Sequence, residues 1–230
     1  MTMSSDWLRL EVADAIRRHG AGRAIFSLRS GSKSTDIDIY CLVDNHSFVD
    51  MHVDAHGRWT EIFADTRDTL RWKIENYDEI VLSILASFEF AFGNRGEHAT
   101  WRRKALQTRT HYALPEYRRK KLQYRVITLG SKLLGTKAVT DGDATKLLVG
   151  AIAYPLLQLL LSANGVCPGS PKAWLAQAKD GIPAQDYRLL LRVIRHGDLE
   201  ALRRLVDGYT GDLHGLSIDR SGEPTLTTIV

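Results

Sequence analysis

The chain has 230 residues, 44% of them hydrophobic and 25% charged, proportions that exclude disorder along its whole length. Lys and Arg number 31 against 27 Asp and Glu, and this net charge of +4 is too mild to argue for nucleic acid by itself. Cys41 and Cys167 lie far apart in apolar runs, which excludes a disulfide framework or a zinc knuckle and points to a reducing compartment, the cytoplasm.

The first twenty residues carry early acids and no apolar core, so no secretory signal is expected. Ser4, Ser5 and Asp6 offer caps for a first helix with Trp7, Leu8, Val12 and Ile16 on one side, stopped by Gly20 and Gly22. A short apolar run, Ala24 to Leu28, precedes the small polar stretch Arg29 to Thr35. Asp36 to Val43 reads as a strand, with Ile37, Ile39, Cys41 and Val43 on one face and Asp36, Asp38 and Tyr40 on the other. Phe48 to Asp54 alternates in the same way, Gly57 allows a hairpin turn, and Trp59 to Ala64 returns with Trp59, Glu61 and Phe63 on one face.

Thr66 or Asp68 caps a helix through Lys73, and Asp78 to Phe92 reads as a further helix. From Glu97 onward every pattern is helical, with candidates at 97–111, 115–134, 141–163, 171–179, 184–195 and 198–208. The run Leu147 to Ala163 is short for a membrane span, contains Pro155 and Gln158, and reads as a helix packed in protein. Gly93 to Gly96 reads as a linker. The expected organisation is α+β: a small mixed sheet with flanking helices over 1–93, an all-helical domain over 94–216, and a mobile tail over 217–230.

The chemistry concentrates in Ser27 to Asp38. Asp36 and Asp38, at i and i+2 on a strand, project from one face, and two carboxylates held side by side repel unless a cation sits between them. Just before them, Gly, Ser and Lys supply backbone N–H groups, hydroxyls and an ammonium, the donors that triphosphate oxygens need. Glu61 arrives on a neighbouring strand with the same facing. Together the three acids suit two divalent ions about 3.5–4 Å apart, an arrangement that clamps an in-line phosphoryl displacement.

This segment resembles the DNA polymerase β-like nucleotidyltransferase superfamily, and within it the antibiotic-type enzymes that modify aminoglycosides or lincosamides. Their hallmark is Gly-Ser, then about ten residues, then Asp-x-Asp. The acid pair falls on Asp36 and Asp38, and Ser27 and Gly31 take the places of the motif's serine and second glycine. Arg58 to Phe63 is similar to the strand of the third carboxylate, which places Glu61 there. Pro171 to Leu175 is similar to a Lys-Trp element late in the helical domains of such enzymes, which brings in Lys172.

The resemblance implies a Mg²⁺-dependent transfer of a nucleoside monophosphate from an NTP to a hydroxyl of a small molecule, with pyrophosphate released. Asp36, Asp38 and Glu61 would hold two Mg²⁺ ions and carry catalysis. Ser27, Gly31, Ser32, Lys33 and Lys172 would hold the nucleotide, and Glu61, Asp141 or Asp143 would serve as general base. The acceptor would lie between the sheet and the helical half, and an oligomer is compatible with this reading.

Transfer onto tRNA or protein, as in toxin-like members, and a nucleotidyltransferase fold that binds without catalysis are the alternatives. The basic runs Arg102 to Lys104 and Arg118 to Lys121 read as solvated helix faces, with RNA the lesser reading. His52 and His56 straddle a hairpin and make no zinc pair. Asp50 and Asp54 read as a solvated strand face.

Overall fold

A computed structural model describes residues 5–30, 36–54, 57–135, 142–169 and 171–210. In chain order the elements are α1 (Ser5–His19), β1 (Ala24–Arg29), β2 (Ile37–Val43), β3 (Phe48–Val53), β4 (Trp59–Thr66), α2 (Arg67–Glu75), α3 (Glu79–Ser87), β5 (Glu89–Gly93), α4 (Arg95–Thr110), α5 (Glu116–Gly135), α6 (Gly142–Ala163), a short 3-10 turn at Pro171–Ala173, α7 (Trp174–Gly181), α8 (Ala184–His196) and α9 (Leu199–Thr210). This is the expected α+β class: a small mixed sheet with flanking helices, followed by helices alone.

The five strands run in the order β3-β4-β2-β1-β5. All neighbours pair antiparallel except β2 with β4, which run parallel. The period-2 alternation read from the sequence divides the sheet into two cores. Ile37, Ile39, Cys41 and Val43 of β2 join Ile62 and Ala64 of β4 beneath Leu8, Val12 and Ile16 of α1. On the opposite face Tyr40, Leu42, Phe26 and Leu28 pack against Leu70, Leu82 and Leu85 of α2 and α3 and Trp101 of α4. Burying each of the Val, Leu, Ile and Phe side chains among these contributes about 1.5–3 kcal/mol of transfer free energy.

Two expectations are corrected. Helix α3 ends at Ser87, and Glu89–Gly93 is the edge strand β5, paired with β1. Pairing with an open sheet edge wins over helical continuation, because the aromatic side chains of 88–92 bury into cores on the two faces: Phe88 and Phe90 into one, Phe92 into the other. The stretch 93–96 is accordingly no linker. A Cβ on Gly93 would lie 2.4 Å from the Ile25 carbonyl oxygen, so only glycine fits, and the Asn94 side chain accepts from Glu97 N to cap α4.

The chain forms two compact units whose boundary is not at 93. The first comprises residues 1–115 with 161–177, and the second 116–160 with 178–230. Helix α4 belongs with the sheet because Trp101 and Ala105 complete its core, and Cys167 of the returning segment is buried in that same core. Within the second unit α8 packs on α9 and α5 on α9, with Leu190, Val193, Leu202 and Leu205 inward. The stretch Lys146–Ala163 of α6 is long and apolar enough to span a bilayer, and half of it is buried. Ile152, Leu156 and Leu160 are wholly inaccessible to solvent, as expected of a helix packed in protein. The tail over 217–230 lies outside the described residues.

Candidate active site

The parallel register of β2 and β4 sets Asp38 directly beside Glu61, on the sheet face shared with Tyr40 and Phe63. Asp36 precedes β2, two residues away. The three acids influence one another: burial and, after it, the Asp36 charge push the Asp38 pKa up, while burial and the Asp38 charge push the Glu61 pKa up. Their donor chemistry, hard carboxylate oxygens on one face, is that of a Mg²⁺ or Ca²⁺ site. Among the described residues, however, no three His, Cys, Asp or Glu side chains gather closely enough to hold a metal ion.

Among the described residues, one ammonium opposes the acids. Lys172 lies in the 3-10 turn of the returning segment, and its charge lowers the Asp38 pKa against the two upward influences. This places Lys172 in the sheet's own unit and not in the helical one, where its sequence position suggested. Local bonds fix that turn: the Trp174 indole donates to the Gly169 carbonyl at 2.7 Å, and Gly169 N donates to Gln177 Oε1 at 3.0 Å. Behind it, Tyr112 donates to the buried Glu79 carboxylate at 2.7 Å and lies 3.3 Å from Ser162 Oγ.

The serine assignment changes. Ser27 is fully buried, its hydroxyl 3.4 Å from Cys41 Sγ, and it faces the core under α1, on the side of the sheet away from Asp38. Its neighbours in β1, Phe26 and Leu28, occupy the acid face, so strand alternation turns Ser27 inward and it cannot hold phosphate. Ser30 is the serine at the site. Its Oγ accepts from Asp38 N at 3.0 Å and its own N–H donates to the Asp38 carbonyl at 2.8 Å, tying the base of the loop to the acid strand. The signal for this was available: a residue one step beyond a strand end is released from the pleat, and Ser27 is not. Gly31, Ser32 and Lys33 lie outside the described residues, as do His56 and Asp141, and the side chain of Asp143 is likewise outside them.

Several titratable groups serve elsewhere. Asp50 is no solvated acid: Arg18 and His19 of α1 bond its Oδ2 at 2.8 and 3.0 Å, and His52 meets its Oδ1 at 3.2 Å. His52 also lies 3.0 Å from Glu11 Oε2, which accounts for it without a metal. Asp54 is buried, accepting from Arg58 across the hairpin. Tyr40 donates to the buried Asp65, which Lys73 also bonds at 2.8 Å. Burial pushes the Cys41 thiol up to about 12, so it is no nucleophile at neutral pH. A separate open cleft of about 510 Å³ on the α1 side of the sheet is lined by Arg9, Val12, Ile16, Arg17, Arg23 and Phe92. Arg17 and Arg23 are bonded there to Asp14 and Asp44.

The mixed five-stranded sheet with helices on its faces is an α+β fold that carries acids at one end of a central strand. A solved structure, that of a nucleotidyltransferase-like protein from Exiguobacterium sibiricum 255-15, shares it with a TM-score of 0.51. The two sequences are 9% identical over 87% of this chain and 75% of that one, and the likeness is one of fold. No family model matches the sequence, and no curated protein matches it.

Proposed function

We propose that this protein transfers a nucleoside monophosphate from an NTP to a hydroxyl of a small molecule. The observation that carries this reading is the adjacency of Asp38 and Glu61 with Asp36 beside them, on the sheet of a nucleotidyltransferase-type fold, with Lys172 facing the acids. Mg²⁺ held by Asp36 and Asp38 would supply neutralisation of charge on the transferred phosphoryl group.

Glu61, whose proton affinity burial and Asp38 raise, takes the proton from the acceptor hydroxyl. The acceptor oxygen then bonds the α-phosphorus as the bond from that phosphorus to the bridging oxygen breaks and pyrophosphate departs with that oxygen. The Lys172 ammonium offsets the charge of the departing pyrophosphate. Ser30 is locked to the backbone of Asp38 beside the acids. A reducing cytoplasm fits two cysteines that are both buried and not joined in a disulfide.

A second reading, nucleotide binding without transfer, is favoured by one observation: the three acids do not converge on a single cation position among the described residues. Incubation of the protein with α-³²P-labelled ATP, GTP, CTP or UTP, Mg²⁺ and separate pools of small hydroxyl compounds, tRNA and protein distinguishes the readings. Label entering the small-molecule pool, and lost in Asp38→Asn, is the expected result. Label entering tRNA or protein assigns a macromolecular acceptor, and binding without any label transfer assigns the inactive reading.

A further inference from the structure

Across the sheet, one row of the acid face runs Ser30, Asp38, Glu61, Met51, through strands β1, β2, β4 and β3 in that order. In the nucleotidyl-transfer reading the phosphates lie toward the Ser30 end. At the other end the strands carry an apolar surface: Val49, Met51 and Val53 of β3 alternate onto this face, and Trp59 of β4 is the register partner of Val53. These four are 53%, 58%, 57% and 48% exposed, a contiguous group of large apolar side chains of the kind that marks a binding surface. Glu61 is the register partner of Met51 on this face.

We propose that Val49, Met51, Val53 and Trp59 form the shelf that receives the acceptor, and that the acceptor is a hydroxyl compound with a flat apolar body. This rests on the reading of Asp36, Asp38 and Glu61 as a nucleotidyl-transfer site. With the triphosphate on the Ser30 side of Asp38, an attacking hydroxyl reaches the α-phosphorus in line from the Glu61 side, and the body behind that hydroxyl then lies over Met51. The four shelf side chains carry no charge to meet a body rich in ammonium groups, so a polycationic sugar fits the shelf poorly. An aromatic or alicyclic body covers Met51 and stacks on Trp59.

The sequence contains three methionines, Met1, Met3 and Met51, so the full chain labelled with ¹³C-methyl methionine reports on the shelf through one resonance, assigned with Met51→Leu. Titration with 2-naphthaleneethanol is expected to move the Met51 methyl, and glucosamine at the same concentration is expected to leave it in place. Trp59→Ala should weaken 2-naphthaleneethanol binding about tenfold, and Trp59→Phe should restore most of it. An unmoved Met51 methyl, or equal binding by Trp59→Ala, overturns the shelf. A Met51 methyl that moves with protein concentration also overturns it, because a second copy would then be its occupant. Mg²⁺-dependent binding of an ATP analogue is read in parallel: analogue bound with Met51 silent sinks the shelf alone, whereas naphthaleneethanol bound without the analogue retains the apolar site and sinks the transfer reading.

Discussion

Asp38 and Glu61 are register partners on the two parallel strands at the middle of the sheet; burial and then the Asp36 charge raise the cost of ionising Asp38, and burial and then the Asp38 charge raise that of Glu61. Their folded pKa values lie above the unfolded ones. The folded state therefore binds more protons between those values, and stability is greatest at low pH and declines as pH rises through the raised range. Removing one charge relieves this. Asp38→Asn or Glu61→Gln should raise the melting temperature of the metal-free protein at pH 7 by about 2 °C, with less gain at pH 4. A thermal melt in which either variant is less stable at pH 7 contradicts the account of the acid pair.

Ser27 and Ser30 should part company in binding assays. Ser27→Ala removes a weak contact to Cys41 in the core, so it should cost about 1 kcal/mol or less of stability and leave ATP affinity unchanged. Ser30→Ala removes the hydroxyl that bonds Asp38 N and should weaken ATP binding severalfold. Isothermal titration of both variants decides, and the reverse pattern would restore Ser27 to the phosphate loop.

On the opposite face, burial works to raise the Asp50 pKa, but bonds from Arg18, His52 and His19 outweigh it and hold the pKa below the ordinary carboxylate value of 3.8. Its contribution to stability is complete above that value and is lost as pH falls through the lower, folded value. Asp50→Asn should destabilise the protein at pH 7 by about 1–3 kcal/mol, and the gap from wild type should close in strong acid. Urea unfolding at pH 7 and pH 2.5 measures both ends, and an unchanged gap would mean that the bonds to α1 do not depend on the Asp50 charge.

His98 is buried beside Phe26 and Phe90, with Nε2 making no hydrogen bond. Burial, and then the charges of Arg102 and Arg95, push its pKa below 6.5. For a base depressed in this way the unfolded chain takes the proton first, so stability falls as pH drops below 6.5 and towards the folded value. His98→Phe should flatten the pH dependence of the melting temperature between pH 7 and pH 5. A variant with the same slope as wild type would place the acid sensitivity elsewhere.

Most of the sheet was legible because buried strands advertise themselves by alternation: Ile37, Ile39, Cys41 and Val43 could only face one core, and the opposite parity put Asp38 and Glu61 together. Strand β5 was not, since Asp78 to Phe92 is apolar enough to satisfy either period, and only the open edge of β1 decides between them. Ser27 matches the motif's serine by position in the sequence, but the pleat of β1 fixes its side chain toward Cys41. The position of Lys172 depends on the chain leaving the sheet's unit at 115 and returning at 161, a long-range event that no local pattern encodes. The roles of Arg18 and His19 at Asp50 were invisible for the same reason, since they stand 32 and 31 positions before it in the chain.

The most direct test of the central claim is calorimetric titration of a non-hydrolysable ATP analogue into the full chain with and without Mg²⁺, in wild type, Asp38→Asn and Lys172→Ala. The account predicts Mg²⁺-dependent binding, abolished by Asp38→Asn and weakened about tenfold by Lys172→Ala. Binding that ignores Mg²⁺ or survives Asp38→Asn undiminished would contradict it, as would failure of ATP, GTP, CTP and UTP analogues alike to bind.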